Sequence, residues 1–281
     1  MSSHILGWIR DGEKENRLIS VKLLGLGILS MLYFTGCNID SIDEPIIIPF
    51  VEQEFIFDLW ENLSTTTGSA LEIRMYTIEE GECLNTSILS SYTRDELELQ
   101  LTLFEILYPE NCDPGTAPAV GQEAINDIGF GLYDLKVDLQ GLVTYKGQLN
   151  STSLSYTVNM EEENSIQWSH DELLKVPNGA LWGYLTYTED EGLSKAEAFL
   201  TNLEEISDVS NANDGYYGHF ELSEDGDILK INGMPEEGNQ LPFIYRYQGE
   251  KMTIDQMVSE LRENSPAGLE LVLRDQKGNE Y

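Results

Sequence analysis

The stretch ELELQLTLFEIL, residues 96–107, alternates apolar and polar side chains from one residue to the next. The apolar positions are Leu97, Leu99, Leu101 and Leu103, and glutamate, glutamine or threonine stands between them. Because successive side chains of a β-strand point to opposite faces, this period of two predicts a strand with one buried and one solvated face.

The same pattern extends over the region around this strand. Similar runs, separated by turn-forming clusters of Gly, Asn, Ser or Pro, are EFIFDLW (54–60), ALEIRMYTI (70–78), YDLKVDLQ (133–140), LVTYKGQL (142–149) and LSYTVNM (154–160). About seven strands at this spacing are typical of an antiparallel β-sandwich. We therefore predict a sandwich over residues 50–160.

A short motif inside this region points to a family. The stretch 128–139, IGFGLYDLKVDL, places Gly131, Tyr133, Leu135 and Val137 in the order G-x-Y-x-L-x-V. This order resembles the tyrosine corner and the following strand of immunoglobulin-like domains. The resemblance implies that the sandwich is immunoglobulin-like.

The pattern changes after the acidic stretch 161–166, which we interpret as a linker. Apolar residues recur at helical spacing in 193–206 and in 253–264, and Ser194 with Glu197 and Thr253 with Gln256 are predicted capping boxes. Strand-like runs stand between and around these helices. The predicted order β-α-β-β-β-α-β over residues 167–281 indicates an α+β domain close to a ferredoxin-like split βαβ with one added strand. The predicted fold class is thus mainly β plus α+β.

Size and charge limit the function classes. The chain has 281 residues, enough for two modest domains, and carries 50 acidic against 16 basic side chains. Nucleic-acid affinity comes largely from cationic side chains that displace counterions from phosphates, so we expect no nucleic-acid partner.

The amino-terminal region predicts an export signal and a membrane anchor. Residues 23–37, LLGLGILSMLYFTGC, form an apolar run that is too short to span a bilayer as a helix and that ends at Cys37. Phe34-Thr35-Gly36-Cys37 resembles the lipobox of bacterial lipoproteins, with Phe34 and Thr35 departing from the commonest residues. The resemblance implies a signal peptide over 1–36, lipidation of Cys37 and membrane attachment through the covalent lipid.

The residues behind the anchor indicate which membrane face is reached. Residues 37–49 form an acidic tether that resembles the export signals of surface lipoproteins in Bacteroidetes. This implies an outer-membrane location, and we favour the cell surface over the periplasmic face. A plain acidic tether is the alternative.

The other two cysteines are interpreted as a pair. With Cys37 assigned to lipid, an oxidising compartment favours a disulfide between Cys83 and Cys112, and two unpaired buried thiols are the alternative. No C-x-x-C pair is present, so we predict no metal site of that kind.

No catalytic set can be recognised. His170 and His219 are the only histidines behind the signal peptide, and the sequence contains no G-x-S-x-G, H-E-x-x-H or phosphate-binding glycine motif. We therefore predict no catalytic residues and no cofactor, and we favour a non-enzyme.

Aromatic residues provide the remaining candidate surface. Trp168, Trp182, Tyr216 and Tyr217 are candidates for a ligand-stacking platform, as in glycan-binding surface lipoproteins, but we favour core and cross-strand pairing, because most aromatic residues here alternate along predicted strands. The expected function is a binding or structural module of the cell envelope with a glycan or protein ligand. The alternatives are a surface hydrolase that uses paired carboxylates and a pilus-like structural subunit.

Overall fold

The chain was analysed as a computed structural model that describes residues 54–64, 69–162 and 166–281. The predicted signal peptide, Cys37 and the acidic tether lie outside the described residues. Within the described ranges, no helix is both long enough and apolar enough to cross a membrane.

A large curled sheet occupies the first part of the described chain. Its strands are β1 (Phe55–Asn62), β2 (Ala70–Cys83), β3 (Ser87–Asp95), β4 (Glu98–Leu107), β5 (Pro114–Ile125), β6 (Gly131–Leu139), β7 (Val143–Ser151), β8 (Ser155–Met160), β9 (Ile166–Trp168) and β10 (Glu172–Leu174). Their spatial order is β10-β8-β7-β6-β4-β3-β5-β2-β1-β9. The prediction of a mainly β chain is confirmed.

One short segment, residues 166–174, contributes the strands at both edges of this sheet. Strand β9 pairs in parallel with β1, and β10, which is separated from β9 by only three residues, pairs antiparallel with β8. The amide of Ser169 also donates to the carbonyl of Phe57, and the amide of Val158 donates to that of Asp171. Residues 166–174 therefore belong to the large sheet, whereas the sequence predicted that a linker ends at 166 and a second domain begins at 167.

The core of the sheet follows the period of two. Leu99, Leu101 and Leu103 of β4 are at most 1% exposed, as predicted, and they pack with inward-facing side chains of the neighbouring strands. Leu97 is 58% exposed instead, because it lies in the turn between β3 and β4, beside Glu96 with its positive φ of 49°.

Strand directions differ from the prediction at three places. The pairs β1–β9, β3–β5 and β4–β6 are parallel, and the other pairs of the large sheet are antiparallel. Strand β5, which lies between β4 and β6 in the sequence, pairs with β2. Strand β6 therefore lies beside β4 in the sheet. Alternation indicates which side chains face inward but not which strands become neighbours, so a purely antiparallel sheet was wrongly expected.

A tyrosine contact lies at the start of β6. The hydroxyl of Tyr133 donates to the carbonyl of Gly129, four residues upstream, at 3.0 Å. Tyr133 itself is buried in the core.

The remaining residues form a second set of elements. These are β11 (Ala180–Tyr187), α1 (Asp190–Glu205), β12 (Asp208–Val209), β13 (Gly215–Tyr216), β14 (Phe220–Leu222), β15 (Ile228–Ile231), β16 (Asn239–Arg246), α2 (Lys251–Glu263) and β17 (Glu270–Asp275). Four strands form an antiparallel sheet in the order β12-β16-β11-β17, and β13-β14-β15 form a smaller sheet.

Both faces of β11 are covered. Leu181 and Leu185 pack with the helices, whereas Trp182 and Tyr184 pack with the small sheet. Gly183 lies between them, at a position where an added Cβ would overlap the backbone of Val272 in β17. The described residues of both regions form a single compact unit.

The two helices form where predicted but begin earlier. Helix α1 starts at Asp190, and α2 starts at Lys251, so Ser194 and Thr253 lie inside helices and not at their caps. Asp190 and Glu191 place negative charge in the first turn of α1, which favours the helix dipole. The capping-box pattern was therefore a misleading boundary signal.

Candidate functional site

The outer face of β1 and β2 carries the side chains of the candidate site. Phe57 and Leu59 point into the core, so Asp58 and Trp60 point outward by the period of two. In the antiparallel register, Asp58 lies opposite Arg74. An acid, a base and a large aromatic ring thus share one face of the sheet.

Asp58 is the centre of a hydrogen-bond network that joins distant parts of the chain. The hydroxyl of Tyr216, in β13, donates to Oδ2 of Asp58 at 2.5 Å. Nδ1 of His170, between β9 and β10, lies 3.1 Å from Oδ1 of Asp58. The imidazole also stacks on the Tyr216 ring, with 3.5 Å between centroids and 11° between the ring planes.

The surroundings of Tyr216 hold its hydroxyl in the protonated form. Burial is the main cause that raises the pKa of Tyr216, and the hydrogen bond to Asp58 and the carboxylate charge raise it further. Tyr216 is therefore a neutral donor at physiological pH, and its bond to Asp58 is charge-assisted.

Arg74 is positioned by an aromatic ring. Its guanidinium lies over the Trp60 ring, 3.6 Å from the centroid, and one Nη is 3.6 Å from Oε2 of Glu72. Nε of Arg74 is buried and has no hydrogen-bond partner among the described residues. Arg74 consequently retains donor capacity.

Two neighbouring cavities of about 280 Å³ each lie between the β1–β2 face and the C-terminal elements. The first cavity is lined by Asp58, Trp60, Arg74, Tyr76, Ser169, His170, Tyr216, Gly218, Phe220, Glu221, Lys230 and Asn232. The second cavity is lined by Trp60, Asn62, Leu63, Arg74, Trp182, His219, Asn232, Arg274, Asp275, Gly278, Asn279 and Glu280. Trp60, Arg74 and Asn232 belong to both walls, so the cavities adjoin.

His219 is a neutral structural residue of the second cavity. Its Nε2 is 2.7 Å from the carbonyl of Glu61, to which it donates, and its ring packs against Trp60 and Trp182. Burial lowers the pKa of His219 to about 4. The imidazole therefore carries no charge near pH 7.

Three of the four candidate stacking residues are buried, as the favoured alternative of core pairing expects. Trp168, Trp182 and Tyr217 are 6%, 1% and 2% exposed, so their rings are not available to a ligand at the surface. Tyr216 is partly exposed and lines the first cavity. Of the four candidate residues, Tyr216 alone offers an accessible ring. Alternation along a strand does not by itself distinguish a core face from an open one.

The predicted disulfide is confirmed. Cys83 and Cys112 form a disulfide that joins the end of β2 to the loop before β5. Cys37 lies outside the described residues.

Sequence analysis missed most of the candidate site. Asp58, Arg74 and Tyr76 were not singled out from the sequence, and His170 was given no role. The available signal was a tryptophan, Trp60, and an arginine, Arg74, in two predicted strands. Within the described ranges, no group of three or more His, Cys, Asp or Glu side chains is arranged to hold a metal ion.

Another cavity, of about 340 Å³, lies at the end of β1 and is lined by Glu54, Glu79 and Glu80 together with Phe55, Tyr108 and other residues. Among the described residues of that lining there is no basic side chain or histidine, so the two adjoining cavities offer the richer chemistry. Comparison with protein-family models, with curated proteins and with solved structures finds no match to this chain. We therefore infer the function from the two adjoining cavities.

Proposed function

We propose that this protein is a lipid-anchored component of the bacterial cell envelope that binds a hydroxyl-rich ligand of the glycan type in the first cavity. The lipobox-like sequence before Cys37 supports the anchor, and the acidic tether supports the outer face of the outer membrane. The high net negative charge of −34 supports a ligand other than nucleic acid.

The ligand proposal rests on one observation: charged and aromatic side chains line the first cavity together. Asp58 is an acceptor, Arg74 and Lys230 are donors, and Tyr76 and Tyr216 provide amphipathic rings. A sugar residue presents both hydroxyl groups and an apolar ring face, so it matches this combination. His170 is half-buried and Lys230 is exposed, which leaves the cavity open to solvent.

Charge and size narrow the ligand. Two bases, Arg74 and Lys230, and two acids, Asp58 and Glu221, line the first cavity, so a neutral ligand is favoured there. Its volume of about 280 Å³ is near the lower end of ligand pockets, which span roughly 300–1,000 Å³. A single sugar residue suits this space better than a larger ligand.

Binding of neutral sugars tests the ligand proposal. The full-length protein, purified in detergent, is titrated by calorimetry with galactose, glucose and mannose and with their short oligomers. We expect binding that Asp58→Asn weakens by about tenfold or more, because an ionised acceptor is lost. Tyr108→Ala is the matched control, since Tyr108 is an exposed aromatic residue of the separate cavity at the end of β1.

Two results would overturn the ligand proposal. One is the absence of binding to every sugar tested at millimolar concentration, and the other is binding that Asp58→Asn leaves unchanged. Release of new reducing ends from an oligomer would instead identify a hydrolase, and Asp58 and Glu221, the two carboxylates of the cavity lining, would then be the residues to substitute.

The anchor has its own test. Cells that express the protein are labelled with radioactive palmitate, and Cys37→Ser is expected to abolish labelling because the lipidated thiol is removed. Cys112→Ser is the control that leaves labelling intact. Continued labelling of the Cys37→Ser protein would refute the anchor.

For the fold family, we propose that residues 180–281 are a ferredoxin-like arrangement with an insertion. The order β12-β16-β11-β17 with two crossover helices supports this, and β13–β15 form the insertion. The bond from Tyr133 to Gly129 supports an immunoglobulin-like tyrosine corner, whereas the parallel pair β4–β6 departs from that sandwich, so the proposal keeps only the corner.

A further inference from the structure

We propose that the outer face of the large sheet near the disulfide is a docking surface for a basic amphipathic segment of a partner protein. The surface consists of a row of exposed aliphatic side chains, which we name the aliphatic face, and of the cavity at the end of β1. The aliphatic face comprises Ile78, Leu89, Leu107 and Val120. None of these described residues lines the first or the second cavity, so this inference is independent of the ligand proposal.

The aliphatic face crosses four neighbouring strands, in the order β4-β3-β5-β2. Ser87 of β3 lies opposite Leu107 of β4 on one side and opposite Val120 of β5 on the other. Leu89 follows Ser87 by two positions and therefore lies on the same face of β3. Ile78 lies in β2, which pairs with β5. The four side chains are thus neighbours in space although they come from four strands.

The aliphatic face points away from the core of the sheet. Ile88 and Ala119, which precede Leu89 and Val120 in the chain, are buried. The four side chains of the aliphatic face are instead between 39% and 43% exposed. Single exposed apolar side chains are common on soluble proteins, whereas a contiguous row of them indicates an interaction surface.

The charges beside the aliphatic face select the partner. The sequence has no lysine, arginine or histidine in residues 75–93 or 95–135, which include the whole aliphatic face. The acidic residues nearest to it in the chain are Glu79, Glu80, Glu82, Glu105 and Glu110. Apolar side chains with an acidic border are complementary to a segment that carries apolar and basic side chains. A second copy of this chain, with its net charge of −34, or an anionic lipid surface would place like charge against this border.

The cavity at the end of β1 fits a lysine or arginine side chain of such a segment. Its volume is about 340 Å³, and buried Phe55 forms part of its wall. Three exposed acids, Glu54, Glu79 and Glu80, line it as well, and none of them forms a salt bridge with a described residue. Tyr108 adds an exposed aromatic ring. The methylene groups of a lysine or arginine can pack on the apolar wall while the charged end contacts the carboxylates and the ring.

The cavity and the aliphatic face adjoin along two strands. Glu79 of the cavity wall directly follows Ile78 in β2. Tyr108 of the wall directly follows Leu107, the last residue of β4. One short segment can therefore place a basic side chain in the cavity and apolar side chains on the aliphatic face.

A peptide of alternating lysine and leucine tests the docking surface. It has about nine residues and spans roughly 30 Å when extended. The peptide is titrated by calorimetry into the full-length protein in phosphatidylcholine nanodiscs, so that no detergent competes for the aliphatic face, and empty nanodiscs measure binding to lipid. The comparison peptides carry glutamate in place of lysine or serine in place of leucine. We expect the lysine–leucine peptide to bind about tenfold more tightly than either of them, because the surface requires both charge and apolar contact.

Charge variants assign the binding to the cavity at the end of β1. The double variant Glu79→Gln, Glu80→Gln removes two carboxylates from the cavity wall and is expected to weaken binding of the lysine–leucine peptide about threefold to tenfold. The double variant Glu236→Gln, Glu237→Gln is the matched control, because it removes the same charge from exposed positions in the loop between β15 and β16. The control should leave the affinity unchanged.

A valine pair assigns the binding to the aliphatic face. Val120→Thr keeps the branched shape of the side chain but replaces a methyl group with a hydroxyl, so we expect binding to weaken about threefold. Val209→Thr is the matched control, because Val209 is an exposed valine of β12 and lies outside the aliphatic face. Hydrogen exchange followed by mass spectrometry then locates the peptide, which should slow exchange in residues 78–80, 105–108 and 118–120.

Several outcomes would overturn the docking surface. These are failure of the lysine–leucine peptide to bind, equal affinity for one of the comparison peptides, and equal affinities in a variant and its matched control. Slower exchange in the same segments with phosphatidylglycerol vesicles alone would identify a lipid surface as the occupant. Slower exchange on raising the protein concentration alone would identify a second copy of the chain.

Discussion

The imidazole of His170 lies parallel to the phenol ring of Tyr216, and the two side chains contact opposite oxygens of one carboxylate, that of Asp58. His170 belongs to the segment between β9 and β10, whereas Tyr216 belongs to the small sheet. The large sheet and the C-terminal elements are thus joined at the wall of the first cavity. The same contacts that shape the candidate site also hold the two regions together.

The hydroxyl of Tyr216 should contribute measurably to stability. Tyr216→Phe keeps the ring stacked on His170 but removes the bond to ionised Asp58, so the free energy of unfolding should fall by roughly 1.5–3 kcal/mol. Urea unfolding followed by fluorescence measures this change. Tyr133→Phe is the comparison, because its hydroxyl donates to a neutral carbonyl and should contribute only about 0.5–1.5 kcal/mol. A larger loss for Tyr133→Phe than for Tyr216→Phe would contradict this ranking.

Acid should destabilise the protein through His219. Its pKa is about 4 in the folded protein and 6.5 in the unfolded chain, so the unfolded chain binds the proton first as pH falls. The stabilising contribution is complete above about pH 6.5 and is lost between about pH 6.5 and 4, a loss on the order of 3 kcal/mol. Urea unfolding at several pH values in this window measures the slope.

His219→Gln separates this effect from the carboxylates. Glutamine retains an N–H donor for the Glu61 carbonyl but does not titrate, so the variant should lose less stability over the same window. Burial raises the pKa of Glu61, and this acts in the opposite direction at low pH in both proteins. Identical slopes for the two proteins would mean that His219 is not the source.

The disulfide between Cys83 and Cys112 should stabilise the large sheet. The two residues are 29 positions apart, and closing a loop of this length restricts the unfolded chain by about 3–4 kcal/mol in the chain-entropy model. The double variant Cys83→Ser, Cys112→Ser should show this loss in urea unfolding. Reductant should shift the original protein toward the variant and leave the variant itself unchanged. An unchanged midpoint in the variant would refute the prediction.

Gly183 should tolerate no side chain. A Cβ at this position would overlap the carbonyl of Val272, so Gly183→Ala must displace β17 from β11 and should lower the free energy of unfolding by about 1–3 kcal/mol or more. Thermal unfolding measures the change. Gly129→Ala is the control, because its nearest contact would be the Tyr133 hydroxyl oxygen at an ordinary 3.6 Å. Equal thermal midpoints for the two variants would show that β17 can adapt.

Local periodicity predicted the elements better than their arrangement. Leu99 to Leu103 are buried as the alternation indicates, and Phe199 and Leu203 face the helical core as their spacing indicates. The placement of Ile166 and Trp168 was missed, because a three-residue strand is too short for a period to be recognised. Its position is decided by pairing with β1, which is more than a hundred residues away in the chain.

The candidate site was harder to predict for the same reason. Asp58 lies 158 residues from Tyr216 and 112 from His170, and no local pattern links them. What the sequence does contain is a large ring, Trp60, beside an acid on the outward face of β1. Such a face must be covered by another element or by a ligand, and here it is in contact with both the small sheet and the two cavities.

The short strands β9 and β10 have a consequence for contacts between copies of the protein. Long, open sheet edges invite a second copy of a protein to add its own strand. In the described part of the chain, the large sheet ends on each side in a strand of only three residues, and β9 pairs with Phe55, Ile56 and Phe57 of β1. Less of each edge strand is therefore open to strand addition by a second copy of the protein.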